Sequence, residues 1–273
     1  MLVNPALPNA YEVAAGTADP IMMAGFIPVV GYQGTVLPAF IAGFLGAKTE
    51  RMIRKRVPET LDLLLTPFLT LLILSILALF IIGPVFHSLE VVVLDATLWL
   101  LELPFGLAGL VIGGLNQLIV VTGIHHIFNF LEVQLLANTG TNPYNAIITA
   151  SVAAQGGASL AVAMKTKSKK LKALAYPSTL SAMLGITEPA IFGVNLRYGK
   201  PFVFGLVGGA AGGFLASLLQ LEATGMSLTV IPGALLYLNS QFIWYIVVNV
   251  VAIAVAFILT YLFGYSDKQL ENA

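Results

Sequence analysis

Leu71-Leu72-Ile73-Leu74-Ser75-Ile76-Leu77-Ala78-Leu79-Phe80-Ile81-Ile82 is an apolar run interrupted by one serine, and it lies inside a longer window, 63–88, that carries no Asp, Glu, Lys or Arg. A helix crossing the hydrocarbon core of a bilayer needs about 20 mostly apolar residues, and this window meets that length. Outward from it, the stretches 103–124, 146–164, 201–221 and 240–266 likewise carry no charge. Ten-residue segments of alternating polarity, which would mark an outer-membrane barrel, are absent. The chain therefore reads as all-α, a polytopic membrane helix bundle with re-entrant hairpins.

Composition agrees. Of 273 residues, 58% are hydrophobic and 10% are charged, against roughly 25% charged in soluble domains, and the mean hydropathy is +0.92. Formal net charge is zero, yet the 13 basic residues cluster. Lys48, Arg51, Arg54, Lys55 and Arg56 form one group, and Lys165, Lys167, Lys169, Lys170 and Lys172 another, leaving Arg197, Lys200 and Lys268. Short basic clusters beside apolar spans read as cytoplasmic topology signals. No aromatic-interleaved basic surface accompanies them, so nucleic acid is not an expected partner. Residues 1–20 lack a basic start followed by a long apolar core, so no secretory signal is expected there. The N-terminus reads instead like the middle of something.

If both clusters face the cytoplasm, an even number of crossings separates Arg56 from Lys165. The sequence offers four: 63–84, 91–103, 106–121 and 146–164, with Pro104-Phe105-Gly106 breaking the second from the third. The segment 122–144 is too polar and irregular for a plain span and is read as dipping into the membrane and returning. Lys172 and Arg197 flank 173–196, which by the same parity enters and leaves by one face as a re-entrant hairpin. Its tip is Gly185-Ile186-Thr187-Glu188-Pro189, with Gly185 permitting close approach and Pro189 breaking the helix. Two final spans, 201–221 and 240–264, follow. No internal repeat or low-complexity linker is visible, so one membrane domain is expected.

Glu188 is the leading site candidate. A carboxylate at membrane depth costs on the order of 2.5–3.5 kcal/mol, so it faces a cavity or a partner. For a neutral polyol it can accept two hydroxyl hydrogen bonds, each charge-assisted; the bland alternative is a tip acid exposed to water or paired with a lysine. His125 and His126 are adjacent, and neighbours on a helix point about 100° apart, so one at most is expected to face a ligand. A zinc site is not expected, because the histidines lack i, i+4 spacing and the chain has no cysteine. Gln33, Thr35, Thr187 and Asn195 can add hydrogen bonds, while Arg197 suits a cytoplasmic anchor. Gln155-Gly156-Gly157 reads equally as a packing notch or a cavity-facing amide. His87 is expected in a solvated loop. Phosphate-binding glycine loops, serine triads and nucleotide motifs are missing, and no cofactor is expected.

The run from Gly185 through Gly193 to Arg197 closely resembles the membrane-embedded enzyme IIC domain of the glucose-superfamily sugar phosphotransferase system. Thr122-Gly123-Ile124-His125-His126 is similar to that family's paired-histidine motif. Gly31-Tyr32-Gln33-Gly34-Thr35-Val36-Leu37-Pro38, Thr66-Pro67-Phe68-Leu69-Thr70 and Ala154-Gln155-Gly156-Gly157-Ala158 resemble its sucrose, trehalose and β-glucoside branch, nearest the sucrose permeases.

The resemblance implies a bacterial inner-membrane permease that binds a disaccharide or glucoside outside and delivers it inward. A cysteine-phosphorylated enzyme IIB, supplied in turn by enzyme IIA and the phosphocarrier protein, then phosphorylates it. Glu188 corresponds to the family glutamate that holds sugar hydroxyls, one of His125 and His126 to its ligand-contacting histidine, and the intact form to a homodimer. Residues 1–90 are expected to be the remainder of a scaffold and dimerisation part, and 91–273 the sugar-binding part. Relative to that pattern the enzyme IIB domain, with its phospho-accepting cysteine, and the first membrane helices are expected to be missing. A truncated gene, a shortened gene model and a half with a separate partner are the readings of that departure. A sugar facilitator or sensor without phosphorylation, and an inactive remnant, are the competing classes.

Overall fold

The first crossing is expected to end at Pro84, with His87 in a loop beyond it, and the computed structural model shows a continuous helix there instead. The structure describes residues 6–14, 18–23, 25, 27–32, 37–226 and 229–267. Helix α1 (Ala10–Ala14) is followed by a hairpin of β1 (Ile21–Met23) and β2 (Ile27–Val29), antiparallel with Met22 opposite Pro28. Then come α2 (Leu37–Arg54), α3 (Asp62–Leu77), a π-turn (Ala78–Ile82) and α4 (Gly83–Leu101). The run Glu59–Leu101 is helical over 43 residues, so 91–103 is not a separate return crossing and the four-crossing count loses a member. The physical reason lies one turn before the proline. A proline ring collides with the carbonyl four residues earlier, and the wider π-turn at 78–82 relieves such a collision without ending the helix. Gly83 stays in right-handed helical geometry (φ −56°) and leaves the space its side chain would take to the Tyr32 ring. His87 accordingly sits half-buried on a helix, edge-on to Tyr32 at 5.8 Å, and not in a loop.

The chain divides into two compact units, 1–95 and 96–273. In the first, α2 packs on α3 around Ala10, Tyr32, Ala42, Ala78 and Ile82. The basic end of α2 is tied by Arg54, which pairs with Glu50 at 2.8 Å and Asp62 at 3.6 Å.

The second unit holds α5 (Leu107–Thr122), α6 (Phe128–Thr139), α7 (Pro143–Lys165), α8 (Lys169–Met183), α9 (Glu188–Ala190) and α10 (Leu196–Tyr198). It continues with α11 (Lys200–Leu218), α12 (Val230–Gly233) and α13 (Phe242–Leu259). Helix α7 is its core, with almost every side chain from Tyr144 to Ala163 buried. Helix α11 reaches its neighbours through glycines. Gly209 and Gly213 lie against the backbone of Gly113 and Gly109 on α5, Gly208 and Gly212 against Ala252 and Ala256 on α13, and Gly205 against the Gln155 amide on α7. Without a hydrophobic drive between helices in lipid, such backbone-close packing supplies the dispersion contacts that hold them. The Gln155-Gly156-Gly157 stretch is thus a packing notch: Gly156 meets Met183 and Ala182, and Gly157 meets the Ile253 backbone.

Among the described residues, 59–101, 143–165, 200–218 and 242–264 are helical stretches long and apolar enough to cross a membrane, and α5 is a shorter apolar helix. Past the last of them the chain is clasped to the α7–α8 corner. Asp267 accepts hydrogen bonds from the Thr166 hydroxyl at 2.8 Å, the Lys167 amide at 3.0 Å and the Tyr265 hydroxyl at 3.0 Å. Burial acts to raise the Asp267 carboxyl, but these donors and the Lys167 charge outweigh it and hold it below the usual range. Burial pushes the Tyr265 phenol up to about 12.

Candidate functional site

The hairpin expected around Glu188 is built from an interrupted helix. Ser168 caps α8, its hydroxyl accepting from the Leu171 amide. At the far end Gly185 takes φ +95°, its amide bonds the Ala182 carbonyl at 2.9 Å, and the Ile186 amide bonds the Ser181 carbonyl at 3.0 Å. That is a Schellman stop with glycine at the left-handed position, which a Cβ would strain. The break therefore belongs to Gly185. Pro189 does not break a helix: it sits in the first turn of the next one, where its missing donor costs nothing. That helix runs through a second π-turn (Ile191–Asn195) and ends at Gly199, φ +70°. Gly193 is not forced by space either, since a Cβ there would meet Leu174 at an ordinary 3.6 Å.

The histidine segment also departs from expectation. Helix α5 stops at Gly123, φ +79°, and Ile124–Ile127 form a 3-10 turn leading into α6, so 122–144 is mostly helical. The two imidazole rings do not diverge. Their centroids are 4.1 Å apart with planes tilted by 35°, and both residues line the same cavity.

That cavity is about 350 Å³, at the small end of ligand sites, which span roughly 300–1,000 Å³. His125, His126, Gly185, Ile186, Thr187 and Glu188 line it together with Asn116, Asn129, Glu132, Tyr144 and Thr229. Glu188 is exposed toward solvent, Thr187 is buried, and the buried Nδ1 of His125 has no hydrogen-bond partner among the described residues. Two acceptor-rich carboxylates, an imidazole pair and several amides and hydroxyls around one small cavity suit a neutral, hydroxyl-rich ligand.

Asn195 stands apart. It is fully buried, and its side-chain amide donates to the Gln155 carbonyl at 2.9 Å and the Gln155 Oε1 at 2.8 Å, while Gln155 Nε2 donates to the Phe202 carbonyl. It braces the hairpin on α7. Arg197 is exposed, with its guanidinium 6.0 Å from the Tyr198 ring. Gln33 and Thr35 lie outside the described residues.

Glu132 and Thr229 are what sequence reasoning missed. Glu132 is 5% exposed, and its Oε2 accepts from the side-chain amides of Asn142 at 2.6 Å and Asn145 at 3.2 Å. Asn142 also caps α7 by accepting from the Asn145 amide, and Tyr237 donates to Asn145 Oδ1 at 3.2 Å. The one available signal was an acid in a helix ten residues before an Asn-Pro helix start.

Comparison with known proteins now adds to the geometry. Residues 1–209 match the family model for the phosphotransferase system, EIIC. A PTS system sucrose-specific EIIBC component of Salmonella typhimurium is 44% identical over 267 residues, covering 97% of this chain and 59% of the relative. Its counterpart in Bacillus subtilis (strain 168) is 38% identical over 273 residues, 98% of this chain and 59% of the relative. A PTS system trehalose-specific EIIBC component of the same organism is 36% identical over 245 residues, 85% of this chain and 51% of the relative. The chain thus spans a little over half the length of these relatives. No solved structure matches it.

Proposed function

The chain belongs to the phosphotransferase system EIIC family, and from that premise we propose that it is the sugar-binding, translocating part of a phosphoenolpyruvate-dependent sugar permease, with sucrose as substrate. The observation carrying this reading is that two segments far apart in sequence, the His125-His126 turn and the Gly185–Glu188 hairpin tip, line one cavity. Glu188 accepts two sugar hydroxyls, which a carboxylate does more strongly than a neutral group. His125 and His126 donate to sugar oxygens, and Thr187 adds a hydroxyl; Asn195 and Gly185 serve by holding the hairpin. The phosphoryl group comes from an enzyme IIB, and the chain's contribution to that transfer is positioning. Residues 91–273 form the transport part and 1–90 the scaffold of a homodimer in a bacterial inner membrane. The trehalose-specific relative keeps trehalose as the second candidate.

The test is binding of radiolabelled sucrose and trehalose to the purified, detergent-solubilised chain, with Glu188→Gln alongside. Sucrose binding that disappears in Glu188→Gln supports the reading. A Glu188→Gln chain that folds and binds sucrose as tightly as its parent removes Glu188 from the site.

A further inference from the structure

The cavity holds polar groups that the Glu188 and histidine assignment leaves unused. Glu132 Oε2 is taken up by Asn142 and Asn145, whose amides fix the orientation of the carboxylate. Among the described residues no hydrogen bond ends on its other oxygen, although the residue lines the cavity. A ligand hydroxyl entering the cavity is a donor that the remaining lone pairs of this carboxylate can take. The Thr229 hydroxyl is a second case. Thr229 is 6% exposed and lines the same cavity, and its Oγ1 has no hydrogen-bond partner among the described residues.

The backbone is strained to put it there. Val230, a β-branched residue, takes φ +60°, a region that such residues avoid. Two side chains hold it: the Val230 amide donates to Thr149 Oγ1 at 2.7 Å, and the Tyr245 hydroxyl donates to the Val230 carbonyl at 2.6 Å. Strain maintained by dedicated hydrogen bonds clusters at ligand sites. Here it places Thr229, whose hydroxyl is buried and has no partner among the described residues, in the wall of the cavity that Glu132 also lines.

We infer that Glu132 and Thr229 form a second hydroxyl-binding subsite, one that holds the second ring of a two-ring sugar and thereby selects it over a single-ring glycoside. The inference rests on the proposed sugar site. Glu132 accepts a hydroxyl through its free oxygen, and Thr229 both donates and accepts. Both residues come from elements other than the hairpin tip and the histidine turn, so they engage hydroxyls that those groups do not.

The experiment measures binding of sucrose and of methyl α-glucoside to the purified full chain, wild type and with Thr229→Val, Glu132→Gln or Glu188→Gln, together with each melting temperature. Thr229→Val replaces an unpartnered hydroxyl by a methyl of the same shape, so its melting temperature is expected to stay level or rise. Its sucrose affinity is expected to fall about tenfold, the scale of one hydrogen bond, with methyl α-glucoside unchanged. Glu132→Gln is expected to weaken sucrose further, with the same selectivity. A Thr229→Val chain that binds sucrose as tightly as wild type overturns the subsite while the loss in Glu188→Gln keeps the underlying reading. Equal weakening of both ligands also overturns it, because Thr229 then serves the first ring. Should Glu132→Gln fail to fold, Thr229→Val decides. A folded wild-type chain that binds neither ligand removes the sugar reading and the subsite together.

Discussion

The Asn142 side-chain amide donates to Glu132 Oε2 at 2.6 Å in the buried interior of the second unit, while its Oδ1 accepts from the Asn145 amide at 3.1 Å. One side chain thereby caps the central helix and satisfies a buried acid. Removing it leaves Glu132 short of a donor and α7 short of a cap, losses worth about 1–3 kcal/mol and about 1 kcal/mol respectively. Asn142→Ala is expected to lower the melting temperature of the detergent-solubilised chain by several degrees. Asn142→Asp keeps the cap but sets a second carboxylate beside Glu132, and its deficit should shrink as pH falls and one of the pair takes up a proton.

The α5–α11 crossing tolerates nothing larger than hydrogen at its centre. A Cβ on Gly109 would run into the Gly213 carbonyl, part of a backbone that cannot rotate away. Gly109→Ala is expected to cost about 1–3 kcal/mol or more, as overpacking does. Gly193→Ala has only Leu174 before it at 3.6 Å, and a gain in helix propensity of up to about 1 kcal/mol offsets any contact cost. Melting of the two variants side by side checks the contrast; equal losses would contradict the packing assigned to Gly109.

Asn195 separates bracing from binding. Asn195→Leu removes the donor of the buried Gln155 side-chain oxygen and a second donor to the Gln155 carbonyl, an expected loss of about 1–3 kcal/mol for a buried group left unpaired. Stability should drop in Asn195→Leu and hold in Glu188→Gln, while sucrose binding should fail outright in Glu188→Gln. A stable Asn195→Leu chain that has lost only its sugar affinity would move Asn195 into the site.

The Asp267 clasp makes stability depend on acid. Its carboxyl titrates lower in the folded chain than in the unfolded one, so its contribution is complete above the unfolded value, about 3.9, and disappears as pH falls through the lower folded value. Asp267→Asn cannot take up that proton. Its melting temperature should trail the wild type's at neutral pH and converge with it as the medium is acidified below about pH 4; a gap that persists unchanged would show that the charge plays no part.

Several features were legible in the residues themselves because each is a local property of the chain. Apolar windows as long as a bilayer is thick marked the helices, and a glycine followed by Ile-Thr-Glu-Pro marked an interruption, although the break falls at Gly185 and Pro189 begins the next helix where a helix breaker was expected. The tertiary structure decided the rest. Whether Gly83-Pro84 ends a helix turned on a π-turn before it and on the Tyr32 ring that fills the space beside Gly83. That the His125 and His126 rings lie side by side and that both residues line one cavity was visible only in the folded chain. The assignment of Asn195 to a brace and of Glu132 to the cavity wall came from partners distant in sequence: Gln155, 40 residues away, and Asn142 and Asn145, 10 and 13 away. Burial of a polar group is a property of what packs around it, and no local pattern encodes which carboxylate will find its donors across the bundle.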